Sequence, residues 1–352
     1  MTWTVLVFVG ALALVYALRH VLLLGALSLF FAFLLFPLVR LTERRLVRSR
    51  LLAIAVVYLV VLAAVGGAAV AVGPRLGAEV QSLAQQFPEM SKRLQSGELV
   101  TSLLARKGWE WEQIREIDRL LQTHMGAIIG YAQQAATEVL KWLAGGWVII
   151  LIPIFAFFIL KDVERFTSVT IWRLGAAGQR GMWWGLADDL HVLLGQYSRS
   201  LVLLALLTFV AWSAVFLTAG VPYALVLAGI GGALEFIPVV GPLTAGVVVV
   251  GVCLFTGYGH PWLLVVFILV WRGIQDYALS PLIMGRGIDI HPALVILGVL
   301  AGGEIAGVSG MFLSVPLIAA IRIVWRRLQA PDTTAVVETP IESPRPSLTK
   351  VQ

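Results

Sequence analysis

Three carboxylates, Glu235, Asp276 and Glu304, sit inside strongly apolar stretches of this chain. A carboxylate in hydrocarbon is costly, so it marks an ion or substrate path or is neutralised by a partner. Glu235 opens the segment Glu235-Phe-Ile-Pro238-Val-Val-Gly241-Pro242 in the middle of an otherwise apolar run. Pro238 donates no backbone hydrogen bond, and Gly241 and Pro242 end regular helix. The carbonyls freed there, together with the carboxylate, could form a cation site or bind polar ligand groups. The same carboxylate could instead cap or pair within the break and bind nothing. Arg272 and Asp276 are four residues apart and share one helix face, with Gln275 and Tyr277 beside them. They read either as a charge-neutralised structural pair or as an ion- or substrate-carrying Asp276 tuned by Arg272. Glu304 lies in a second break, Gly302-Gly303-Glu304-Ile-Ala-Gly307-Val-Ser-Gly310. Its glycines are expected to form a hairpin tip, because a reversal demands backbone angles that a Cβ resists.

Other chemistries fail on missing partners. Gly307-Val-Ser309-Gly310 has the G-x-S-G form of an intramembrane serine protease, but no histidine follows His291 to act as general base. No H-E-x-x-H and no P-loop occur, which removes zinc proteolysis and ATP-driven pumping. His260 and His291 each precede a proline and read as loop-end residues. No enzymatic activity, metal site or cofactor is expected beyond a coupling ion, H⁺ or Na⁺.

Composition sets the surroundings of these residues. The chain has 352 residues, 59% hydrophobic and 13% charged, with mean hydropathy +0.90. An ordinary soluble domain carries about a quarter charged residues, so the class is an all-α polytopic integral membrane protein with the lipid bilayer as its partner. The net charge of +6 reflects cytoplasmic arginine; no basic patch interleaved with aromatics points to nucleic acid. The single Cys253 cannot form an internal disulfide.

The two broken runs, residues 224–256 and 293–325, are each about 33 residues long, whereas about 20 suffice to cross a bilayer core. Upstream, residues 1–72 form N-terminal transmembrane helices: stretches 3–18, read as a retained span and not a signal peptide, 21–39 and 51–72. Between the last two lies a segment from Arg40 to Arg50 with five arginines against Glu43, which places it in the cytoplasm. Residues 73–145 are polar and carry apolar residues at helical spacing, the pattern of an extracytoplasmic helical lobe. Residues 146–328 form the transmembrane core, with inward and outward spans at 146–160 and 198–219, a mixed cytoplasmic segment at 161–196, and a span at 262–279. Doubling back at 235–242 and 302–310 gives about six full spans plus two oppositely oriented re-entrant hairpins, or about eight hydrophobic segments. A plain arrangement of straight spans would leave both termini inside equally well. Residues 329–352, rich in Pro, Ser and Thr, read as a disordered cytoplasmic tail.

The C-terminal half resembles the autoinducer-2 exporter-like family, also described as PerM-like permeases. The likeness is carried by Gly232-Ala-Leu-Glu235-Phe-Ile-Pro238-Val-Val-Gly241-Pro242, by Ser280-Pro281-Leu-Ile-Met-Gly285 and by His291-Pro292. It continues through Gly302-Gly303, Gly307, Gly310-Met311 and Val315-Pro316. The resemblance implies a bacterial inner-membrane secondary transporter that exports a small polar solute such as autoinducer-2, or one that exchanges Na⁺ or Li⁺ for H⁺. Pro281 joins the candidate substrate- or ion-binding residues Glu235, Pro238, Gly241, Pro242, Arg272, Gln275, Asp276 and Glu304 on this basis. Gly302, Gly303, Gly307 and Gly310 would gate the site, and a homo-oligomer would give a moving domain a fixed partner. A non-transporting scaffold that holds a partner through residues 73–145 or 161–196 is the reading from a different class.

Overall fold

A backbone in hydrocarbon must satisfy its own hydrogen bonds, and helix is the only regular secondary structure among the described residues. The computed structural model describes residues 17–95, 150–162, 180–284 and 291–329, with Gly10 and Ala13. Most of the 3–18 stretch, residues 96–145 of the expected lobe, the segment with Gly285, Arg286 and Asp289, and the 330–352 tail lie outside them. Among the described residues, five helices are long and apolar enough to cross a membrane: Val21–Arg45, Arg50–Glu89, Met182–Thr218, Pro261–Ile283 and Pro292–Arg327.

Helix α1 (Arg19–Arg45) ends with Arg44 and Arg45 in its last turn, where cations complement the helix dipole. The arginine-rich segment is therefore mostly helix, and the chain turns between Leu46 and Ser49. Helix α2 (Arg50–Gln95) runs unbroken through the expected boundary at residue 73, with Pro74 and Pro88 inside it. It exposes Leu59, Leu62, Val65 and Val70 by 63–79%, a surface suited to lipid. Residues 150–162 form α3. These three helices share a core of Ala32, Leu35, Ala53, Ile54, Ala156 and Leu160. The Arg50 Nε donates to the Leu160 carbonyl at 2.9 Å, which ties α2 to α3.

Helix α4 (Arg180–Thr218) is likewise continuous, joining the expected cytoplasmic segment to the expected 198–219 span. The chain then forms α5 (Ala224–Leu234) and α6 (Val240–Phe255), two short legs around a turn. Both ends of this run lie together: the Tyr258 hydroxyl donates to the Ala219 carbonyl at 3.0 Å, and Val221, Ala224, Val252 and Cys253 share one core. The run therefore doubles back. Helix α7 (Pro261–Ile274) passes through a π-helical turn (Gln275–Leu279) into α8 (Ser280–Met284).

The final segment, α9 (Pro292–Gln329), is broken at Ala306 and Gly307, where φ and ψ leave the helical region. Its two legs fold against each other in antiparallel register. A Cβ built on Gly298 would strike Ile318, one on Gly302 the Gly310 carbonyl, and one on Gly303 would lie 2.9 Å from Met311 Cε. The second leg is tied to α4 by Leu193, Ala319 and Ile323, and by the Arg327–Asp189 ion pair at 2.7 Å.

The glycines work differently from expectation. Of the four at the second break, only Gly307 has positive φ, at 61°. Gly302 and Gly310 are required by closeness, since a Cβ on either would overlap the other's carbonyl. Gly241 is also a matter of space, because its Cβ would collide with the Leu234 carbonyl oxygen. The left-handed position of the first turn is Val239, with φ 66° and ψ −58°. With the Val240 N–H donating to the Pro238 carbonyl at 2.7 Å, this is a γ-turn of the strained, positive-φ kind, held by a β-branched residue.

Candidate functional site

Glu235 is the C-cap residue of α5, and small residues bring that helix close enough to α4 for its carboxylate to find a partner. A Cβ on Gly232 would lie 2.8 Å from the Ala205 carbonyl, and one on Gly231 would lie 2.5 Å from the Trp212 ring. The partner on α4 is Thr208, fully buried, which donates to Glu235 Oε1 at 3.2 Å. Gln275, also buried, donates its Nε2 to the same Oε1 at 3.0 Å and to Thr208 Oγ1 at 2.8 Å. The Trp271 indole N–H adds a third bond to Thr208, at 3.2 Å. The hydroxyl thus gives its one proton and uses both lone pairs, which is its full capacity.

The π-helical turn begins at Gln275. Widening of this kind is rare and occurs frequently at functional sites. It places Gln275 toward α4 and α5 while Asp276 stays with Arg272. Arg272 grips Asp276 through two bonds, Nε to Oδ2 and Nη2 to Oδ1, both at 2.9 Å. The same guanidinium reaches Glu235 Oε2 only at 4.0 Å. Side-chain exposure is 8% for Glu235 but 41% for Arg272 and 46% for Asp276. One oxygen of Glu235 is therefore fully engaged by neutral donors. The other faces a cation that is already held elsewhere, which leaves room for a proton, a small cation or a ligand hydroxyl.

Of the sequence-derived candidates, the structure brings Glu235, Arg272, Gln275 and Asp276 together. Pro238, Gly241 and Pro242 shape the turn beside them and the start of α6. Pro281 lies on exposed surface in α8, and Tyr277 is 87% exposed. Glu304 is exposed on the first leg of α9 and makes no hydrogen bond or ion pair among the described residues. Gly302, Gly303, Gly307 and Gly310 build the second turn, which meets the first: Phe236 packs on Phe312 at 5.7 Å between ring centroids. Phe312 in turn lies 4.7 Å from Phe30 on α1. Among the described residues no group of three or more His, Cys, Asp or Glu could hold a metal ion.

Sequence reasoning missed Thr208, Trp271 and the Phe236–Phe312 contact. A single threonine in an apolar span ordinarily bonds to its own helix, so Thr208 sends no signal of a distant partner. Trp271 precedes Arg272, and only the charge drew attention there.

These helices define a multi-pass helical membrane protein with a buried polar cluster among its helices. The chain belongs to the AI-2E family of transporters, which matches it over residues 5–329. YrrI of Bacillus subtilis (strain 168), named as a candidate transport protein, is 27% identical over 84% of this chain and 83% of its own. PerM of Escherichia coli (strain K12), named as a candidate permease, is 26% identical over 50% of each chain. The AI-2 transport protein TqsA of Escherichia coli (strain K12) is 30% identical over 36% of this chain and 37% of its own. The family and these relatives carry the names of transporters and permeases, not of enzymes.

Proposed function

We propose that this protein is a secondary-active transporter of the bacterial inner membrane that exports a small polar solute, autoinducer-2 among the candidates, coupled to H⁺ or Na⁺ through Glu235. The observation that carries this reading is the asymmetric Glu235 carboxylate, with Oε1 bonded to Thr208 and Gln275 and Oε2 facing Arg272 across 4.0 Å. Its depth supports the same reading. Helix α5 descends about 16 Å from Ala224 to the turn, roughly half of a bilayer core of about 30 Å. The legs α5 and α6 are too short to cross, and their ends lie together, which supports a re-entrant hairpin. The second turn, approached from the other side, meets the first at Phe236 and Phe312. Two opposed tips over a midplane carboxylate suit alternating access, in which one tip at a time yields.

The arrangement of contacts also supports the orientation read from arginine. Glu79 on α2 accepts the N–H groups of Leu225 and Val226 at 3.0 Å each, at the start of α5. The alternation of spans counted from the arginine-rich segment places both partners outside. The Arg50–Leu160 and Arg327–Asp189 contacts join segments assigned inside.

Na⁺ or Li⁺ exchange for H⁺ is a second reading, favoured by Glu235 Oε2, a hard oxygen donor that Arg272 reaches only at 4.0 Å. Proteoliposomes loaded with autoinducer-2, with and without a pH gradient and with Na⁺ on either side, separate the two. Solute efflux driven by the gradient and lost in Glu235→Gln supports export. Cation-dependent proton movement without solute supports exchange. Wild-type flux in both Glu235→Gln and Asp276→Asn would overturn the site, and absence of any flux would leave the scaffold reading.

A further inference from the structure

Away from the hairpins, α1 and α4 diverge around a cleft of about 340 Å³ lined by Arg40, Arg44, Arg199, His191, Phe33 and Phe36 among others. No carboxylate is among the described residues that line it. Arg40 and Arg44 are exposed and form no ion pair among the described residues, whereas the half-buried Arg327 is paired with Asp189. Arg199 donates its Nε to the Gly195 carbonyl at 2.7 Å, which uses one of its five N–H groups. His191 is fixed by edge contacts with Phe33 and Phe36, at centroid distances of 4.9 and 4.5 Å. Asp188, on the same helix, lies close enough to act on His191. Three exposed guanidiniums around one aromatic-floored cleft, with no acid among its described lining residues, set up a positive field that favours an anion.

We propose that this cleft binds the phosphate headgroup of an anionic phospholipid from the leaflet on the arginine-rich side. The phosphate matches the guanidinium geometry and charge. The lipid assignment follows from the other wall, where Leu41 and Val192 are 49% and 46% exposed beside the arginines and continue into the lipid-facing surface. A soluble anion would leave that apolar rim unused; a diacyl lipid covers it with its chains. Basic pockets between membrane helices on the cytoplasmic side bind acidic headgroups in this way. The site is separate from the Glu235 cluster and does not depend on what the protein transports.

The test is native mass spectrometry of the full-length protein in detergent, titrated with phosphatidylglycerol, with phosphatidylcholine of the same chains, and with soluble glycerol phosphate. Wild type is expected to retain phosphatidylglycerol in preference to phosphatidylcholine. Arg40→Gln, Arg44→Gln and Arg199→Gln should each weaken that preference about five-fold. The triple lysine variant should keep most of it, and Arg326→Gln, outside the cleft, should not change it. Each variant is scored only on protein that remains monodisperse, and the lysine variant keeps the test valid if a glutamine variant misfolds. Equal retention of both lipids would overturn the proposal, as would an equal loss in Arg326→Gln, which would mark diffuse surface charge. Displacement by millimolar glycerol phosphate as effective as by lipid would assign the cleft to a soluble phosphate and overturn the lipid assignment.

Discussion

Glu235 divides its work between two oxygens, and Thr208 makes that possible by accepting from Trp271 and Gln275 while donating to the carboxylate. Thr208→Val keeps the shape but orphans the Trp271 N–H and removes one donor to Glu235. The expected cost is about 1–3 kcal/mol of stability, read as a lower thermal midpoint in detergent, whereas Thr208→Ser should stay near wild type. Flux in Thr208→Val should fall more than stability accounts for, because Oε1 is then held by Gln275 alone. A Thr208→Val protein with wild-type melting and flux would show the network to be incidental. Of this site, the sequence displays the charges and the proline but not their meeting. Glu235 and Gln275 are separated along the chain by α6 and α7, and no local pattern relates a threonine in one apolar span to a glutamine in another. The π-helical turn that places Gln275 has no marker in Gln275-Asp276-Tyr277-Ala-Leu279 that differs from ordinary helix.

At the scale of elements, the breaks were legible and the helix lengths were not. Proline and glycine remove hydrogen bonds and Cβ atoms at fixed positions, so Pro238, Gly241 and Gly307 announce a change of direction. Nothing comparable marks where α2 or α4 leaves the membrane. A helix that turns polar at the water boundary remains a helix, and so α2 runs on past the expected end at 72 and α4 begins well before the expected start at 198. The closeness of the α9 legs gives a sharp expectation. Gly310→Leu pushes a side chain into the Gly302 carbonyl, where no flexible neighbour can move aside. The variant should insert in the membrane yet lose flux at least ten-fold, a little over 1 kcal/mol in barrier terms, measured in proteoliposomes matched for protein content. Cysteines at the exposed tip residues Val239 and Val308 should change labelling rate when substrate is added. Unaltered flux in Gly310→Leu with substrate-independent labelling would reduce both turns to kinks.

For the whole molecule, the proposed orientation rests on the arginine-rich segment Arg40 to Arg50. Single cysteines replacing Arg45 and Arg75, in a Cys253→Ala background, should label from opposite faces of intact cells or oriented vesicles. Labelling of both by an impermeant reagent added outside would refute the topology. One feature of α2 then acquires a mechanical meaning. The helix packs through Ile54 into the α1–α3 core, and about 37 Å farther along Glu79 holds the first N–H groups of α5. That stretch exceeds a bilayer core of about 30 Å, so a single strut joins the α1–α3 core to the start of the first hairpin. A thinner bilayer tilts a strut of fixed length, and the tilt pulls on Glu79 and hence on the entrance of α5. Transport should therefore depend on lipid chain length, with an optimum between short- and long-chain phosphatidylcholine vesicles. In Glu79→Ala, which uncouples the strut from the hairpin, that optimum should flatten.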